Sequence, residues 1–144
     1  MSEDIVIVAA GRTAVGNFGG SLAGLSAAEL GSRVIAGLLE RSGLAPEQVD
    51  EVILGQVLTA GTGQNPARQA AMSAGIPKEA TAWGLNQLCG SGLRAVAIGM
   101  QQIAGGHSPC HAALGDLARS FGVLGLFIRS PEAVSQLLKH DLAF

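Results

Sequence analysis

Short apolar runs alternate with segments of helical period along this chain up to Gly105, and that alternation restricts the fold more than any single motif. Ile5-Val6-Ile7-Val8-Ala9-Ala10 is rich in β-branched residues and is ended by Gly11, the pattern of a strand buried on both faces. Ser26-Ala27-Ala28-Glu29 reads as a capping box. Leu30, Val34 and Leu38 then recur every fourth residue with Ile35 and Leu39 beside them, and Gly43 stands where a left-handed glycine closes a helix. Val52-Ile53-Leu54-Gly55 reads as a second buried strand, and Pro66 suits the first turn of a helix running through Gln69-Ala70-Ala71-Met72. Trp83-Gly84-Leu85-Asn86-Gln87-Leu88 is a weaker third strand that runs straight into Cys89. Beyond it Leu93, Val96, Ala97, Met100, Ile103 and Ala104 form one continuous helical face. Strands alternating with helices predict the α/β class, with a largely parallel sheet covered by helices.

Composition narrows what such a sheet is for. The 144 residues suffice for one domain or part of one. Charged residues are 14% against a usual share of about 25%, and hydrophobic ones 48%, so much apolar surface needs a partner. A net charge of -2, aromatic residues at 3% and no tyrosine exclude a basic field or a stacking platform for nucleic acid. The acidic start Met1-Ser2-Glu3-Asp4 lacks the positive region of a signal peptide, and no apolar run approaches the ~18 residues of a membrane span. No membrane association is expected, and the expected location is the cytoplasm. Two cysteines, Cys89 and Cys110, are too few for a disulfide framework and read as thiols.

Cys89 lies where a strand turns into a helix, near unpaired amides and the positive end of the helix dipole, a placement that favours the nucleophilic thiolate. Gly90 and Gly92 leave room for a substrate to approach the backbone. Two other readings compete at this point. Cys89 fits a buried structural cysteine, and Gly90-Ser91-Gly92-Leu93-Arg94-Ala95 fits the dinucleotide fingerprint. The fingerprint is poorly supported, because Asn86 and Gln87 precede the turn and the next acidic residue is Asp116, beyond a Gly-Gly break. His107, Cys110 and His111 would supply three metal ligands where a structural zinc site wants four, so no metal site is expected. His140 is expected to cap a helix end.

Four stretches carry a family resemblance: Gly11-Arg12-Thr13-Ala14-Val15-Gly16-Asn17-Phe18-Gly19-Gly20-Ser21-Leu22, Gly55-Gln56-Val57-Leu58, Gly61-Thr62-Gly63-Gln64-Asn65-Pro66-Ala67-Arg68-Gln69, and the segment from Asn86 to Gly92. In order and spacing they resemble the N-terminal part of the thiolases, from residue 5 to about 106. Ala14 stands where that family often has proline. The resemblance implies the N-terminal half of a thiolase-like fold, a mostly parallel mixed sheet with covering helices. It implies Cys89 as the nucleophile that accepts an acyl group from one acyl-CoA before a second acetyl-CoA attacks, the Claisen condensation and its reverse. Coenzyme A thioesters would be substrates, with no resident cofactor. By the same resemblance the backbone N–H of Cys89 would help hold the oxyanion. The family's Gly-His-Pro histidine and Cys-x-Gly-Gly-Gly cysteine, which serve the thiolate and the α-proton, have no counterpart in this chain.

The resemblance ends near Gly105-Gly106, giving an incomplete thiolase-like domain over 1–106 and a divergent tail over 107–144. Leu114, Leu117, Phe121 and Leu124 are spaced as on a helix, and Ser130-Pro131-Glu132 reads as the start of another, so the tail is expected to be helical. Cys110 has no glycine run after it and does not match the family's second cysteine. Three functional expectations follow: a thiolase-type acyltransferase that is catalytically incomplete as this chain, a non-catalytic fragment acting as an association module, or a dinucleotide-binding domain. An uncovered sheet edge and helix face lead to an expectation of self-association.

Overall fold

The first helix shows most simply why the chain folds where it does. Helix α1 (Ala27–Ser42) starts at Ser26, whose hydroxyl accepts the Glu29 N–H at 3.2 Å while the Glu29 carboxylate accepts the Ser26 N–H at 2.7 Å. This reciprocal cap satisfies two amides that the helix cannot use. It also holds the Glu29 carboxyl below its ordinary range, chiefly through the bond from the Ser26 backbone and then through the Ser26 side chain. Gly43 ends the helix at φ 69°, in the left-handed region. Leu30, Val34, Ile35, Leu38 and Leu39 are buried on one side, each worth about 1.5–3 kcal/mol where burial is complete.

The computed structural model describes residues 4–114 and 124–129. Its strands are β1 (Val6–Arg12), β2 (Glu51–Gly55), β3 (Thr81–Leu85), β4 (Cys110–Leu114) and β5 (Leu124–Arg129). Helices α2 (Pro66–Ser73) and α3 (Ser91–Ala104) complete it, with a short 3-10 turn at Pro46–Gln48. The sheet order is β1-β5-β4-β2-β3. β2 runs parallel to β3 and β4, while β5 is antiparallel to β1 and β4, so four strands share one direction and the sheet is mixed. Successive residues of β2 serve opposite faces. Val52 and Leu54 enter the core under α1 and α2, and Ile53 joins Ala95, Ile103 and Ala113 under α3. All of β2 is buried, and the Glu51 carboxylate there accepts bonds from the Trp83 indole at 2.6 Å and the Thr81 hydroxyl at 3.1 Å, which fixes the β2/β3 register.

Three expectations from the sequence change. β1 is not buried on both faces: it sits at the sheet edge, runs past Gly11 to Arg12, and has only Ala9 fully buried. Arg41 donates to the Ala10 carbonyl, occupying a backbone acceptor on that strand. The tail is not helical where it is described, because Cys110–Leu114 pairs between β2 and β5 and Leu124–Arg129 pairs between β4 and β1. Pairing beside a central strand makes a strand of Cys110–Leu114 despite its lack of β-branched residues. Residues 115–123 and 130–144, including nearly all of the first expected tail helix, the second one and His140, lie outside the described residues. Lastly, α3 does not bury the face of Leu93 and Met100, which are 78% and 44% exposed; it buries Ser91, Ala95, Gly99 and Ile103, spaced by four.

That narrow stripe of mostly small residues lets α3 sit close on the sheet. The approach is tightest at Gly55, the last residue of β2, where an added Cβ would lie 2.7 Å from the Ser91 Cβ and 2.9 Å from the Gly92 nitrogen. Only a residue without a side chain fits there. Gly55→Ala is therefore expected to destabilise the fold by about 1–3 kcal/mol through overpacking, read as a lower midpoint in urea unfolding. An unchanged midpoint would contradict the contact.

Candidate active site

β2 and β3 run parallel, and the chain leaves their C-terminal ends through two loops that lie side by side. Ligands in open α/β sheets bind at such ends. Gln56, buried just after β2, donates its N–H to the Leu85 carbonyl at 2.9 Å and its side-chain amide to the Leu58 carbonyl at 2.8 Å. The Asn86 amide donates to the Val57 carbonyl at 3.2 Å, tying the loop after β3 to the loop after β2.

Asn86-Gln87-Leu88-Cys89-Gly90 then turns the chain into α3. Leu88 has φ 49°, one of two non-glycine residues with positive φ among the described residues; the other is Asn65, which caps α2. Leucine seldom adopts this conformation, whereas asparagine does so several times more often. The Leu88 N–H donates to Asn86 Oδ1 at 3.0 Å, and the Leu88 carbonyl accepts from the Ser91 hydroxyl at 2.7 Å and from the Ser91 N–H at 3.0 Å. Ser91 Oγ in turn accepts the Gln87 N–H at 2.9 Å. Among the described residues, the Gly92 and Leu93 amides of the first turn of α3 donate to no acceptor, which leaves two backbone donors for a ligand.

The two cysteines are placed oppositely. Cys89 is exposed, so it has no packing role in the core. Cys110 is wholly buried in β4, its N–H donating to Asp50 Oδ2 at 3.0 Å. His107 lies past the far end of α3, a helix of 14 residues and so about 20 Å long. Among the described residues no group of three His, Cys, Asp or Glu side chains is placed to hold a metal ion. A cavity of about 260 Å³ between β1 and α1, lined by Arg12, Arg33 and Arg41 among others, includes none of the turn residues.

Sequence reasoning located Cys89 and its turn but not Gly55, Asn86, Leu88 or Ser91 as the parts that shape it. Gly55 and Asn86 stood inside quoted motifs, yet no spacing rule reports a contact between residues 55 and 91. The dinucleotide reading fails on topology. Its fingerprint strand belongs at the middle of the sheet where the strand order reverses, and β3 is an edge strand of a sheet that contains an antiparallel member.

Residues 5–116 match the family described as "Thiolase, N-terminal domain", so the match extends past Gly106, where the sequence resemblance was expected to end. The acetyl-CoA acetyltransferase of Shinella zoogloeoides is 67% identical over 106 residues, 74% of this chain and 27% of that protein. The acetyl-CoA acetyltransferase of Paracoccus denitrificans is 50% identical over 136 residues, 94% of this chain and 35% of that protein. The Acat5 thiolase of Ascaris suum, solved in complex with coenzyme A, superposes with a TM-score of 0.77 at 38% identity, covering 78% of this chain and 30% of that one. The chain thus spans about a quarter to a third of the length of the relatives it matches. With a family-model match over most of its length, the chain belongs to the thiolase family and matches its N-terminal domain over residues 5–116.

Proposed function

We propose that this chain is the nucleophile-bearing part of an acetyl-CoA C-acetyltransferase, and that Cys89 is its acyl acceptor. The observation that carries the reading is the exposed Cys89 in a fixed turn at the C-terminal ends of β2 and β3, one residue from the cap of α3. The names of the relatives and the coenzyme A complex of the Ascaris suum thiolase support acyl-CoA as the substrate class. In the first half-reaction the Cys89 thiolate attacks the thioester carbonyl carbon and the oxygen takes the charge. Collapse then forms the Cys89 thioester and expels the coenzyme A thiolate. Backbone donors around the turn would hold the oxyanion, and no resident cofactor is required.

The second half-reaction needs a base to remove the α-proton of a second acetyl-CoA. The chain contains neither a Gly-His-Pro nor a Cys-x-Gly-Gly-Gly sequence. A positioned base contributes about 10²- to 10⁴-fold and one oxyanion donor about 10²- to 10³-fold, so this chain by itself is expected to acylate but not to condense. We place it in the cytoplasm; among the described residues no helix is long and apolar enough to cross a membrane.

Self-association is the second part of the proposal. Leu93 at 78%, Leu88 at 67% and Met100 at 44% exposure put apolar side chains on and beside the outer face of α3. A helix apolar on its outer side as well as its inner one is usually covered on both. A second copy of the chain is the cover we propose, and sedimentation showing only monomer at tens of micromolar would count against it.

Radiolabelled acetyl-CoA tests the catalytic reading. After acid quench and peptide mapping, label is expected on Cys89, none on Cys110 and none in Cys89→Ser, with acetoacetyl-CoA at background. Absence of label from Cys89 would sink the reading, and a robust thiolysis rate from the purified chain would refute its incompleteness.

A further inference from the structure

We infer that Ser91, together with Asn86, is a positioning residue for Cys89 and acts through the backbone of Leu88; this rests on the reading of Cys89 as acyl acceptor. The torsion of Leu88 directly precedes Cys89 and sets where its side chain stands relative to the free Gly92 and Leu93 amides. At φ 49° it occupies a region that leucine disfavours, and burial offers little in return, because Leu88 is 67% exposed. Hydrogen bonds hold it instead. Both polar groups of Leu88 are engaged, the N–H by Asn86 Oδ1 and the carbonyl by the Ser91 hydroxyl.

The two arms are anchored differently. Ser91 is wholly buried, and its Cβ is pressed toward Gly55 so closely that a Cβ there would lie 2.7 Å away. Its hydroxyl is engaged both ways, donating to Leu88 and accepting from Gln87. Asn86 is exposed, but its amide is tied to Val57 in the loop after β2. The turn is therefore gripped from the helix on one side and from β2 on the other. Without the hydroxyl, the Leu88 carbonyl keeps only the Ser91 N–H and its N–H keeps only Asn86, so the disfavoured torsion is held less firmly and Cys89 shifts away from the first turn of α3.

The test compares the parent chain, Ser91→Ala, Asn86→Ala and the double variant Ser91→Ala with Leu88→Gly. Cys89 is read by iodoacetamide alkylation and by acetylation from acetyl-CoA, and the buried Cys110 reports whether the fold persists. Ser91→Ala is expected to slow alkylation of Cys89 about fivefold, the factor that one net hydrogen bond represents, with Cys110 still protected. Glycine adopts positive φ without steric cost, so the double variant is expected to recover to within about twofold of the parent, which a merely structural role for Ser91 does not explain. If Ser91→Ala exposes Cys110, the exposed-arm variant Asn86→Ala carries the test with the same expected slowing. Parent-like alkylation in the folded single variants, or no recovery with Leu88→Gly, overturns the inference. A parent chain that is alkylated at Cys89 but never acetylated overturns the acyltransferase reading alone.

Discussion

Gly55 meets Ser91 with no side chain between them, and this contact sets how α3 sits on the sheet. β2 ends at a residue with no side chain, and the first turn of α3 sits directly on it. That closeness buries Ser91 and brings its hydroxyl to the backbone of Gln87 and Leu88. It also fixes the side of α3 that faces the sheet, Ser91, Ala95, Gly99 and Ile103, and so turns Leu93 and Met100 outward. Close packing makes such a site unforgiving, because a single methyl group has nowhere to go.

Much of the fold was legible where local rules decide the outcome. The Ser26 and Glu29 cap, the Gly43 terminus and the Pro66 start of α2 are local devices, and each appears in the structure as a sequence reading places it. What escaped was decided at long range. The stretch Cys110–Leu114 has no β-branched residue, and it is a strand because an open position beside β2 takes it. β1 read as a buried strand because its composition is apolar, yet its place at the sheet edge leaves Ile7 59% exposed. On α3 the apolar stripe was only partly the buried one: Ile103 and Val96 meet the core, but the sheet selects Ser91, Ala95 and Gly99 for close approach and leaves Leu93 and Met100 outside.

The site divides in the same way. Cys89 was legible because a thiol between a strand and a glycine-flanked helix start is a local pattern, and its family motif is compact. The conformation of Leu88 was not, because leucine gives no signal for a left-handed backbone; only the bonds from Asn86 and Ser91 reveal why it is held there. The chemistry follows from this division. On the proposed reading, the acyl acceptor lies within the turn between β3 and α3, whereas the Gly-His-Pro and Cys-x-Gly-Gly-Gly sequences expected to serve the second half-reaction are not among the residues of this chain.

The Cys89 turn is already built in the absence of substrate. Residue-resolved amide hydrogen exchange reads this directly. The Gln87 and Leu88 amides, bonded to Ser91 Oγ and Asn86 Oδ1, should exchange far more slowly than free peptide despite lying in an exposed turn, while Gly92 and Leu93 exchange openly. Gln87 and Leu88 exchanging at free-peptide rates, with α3 itself protected, would contradict it.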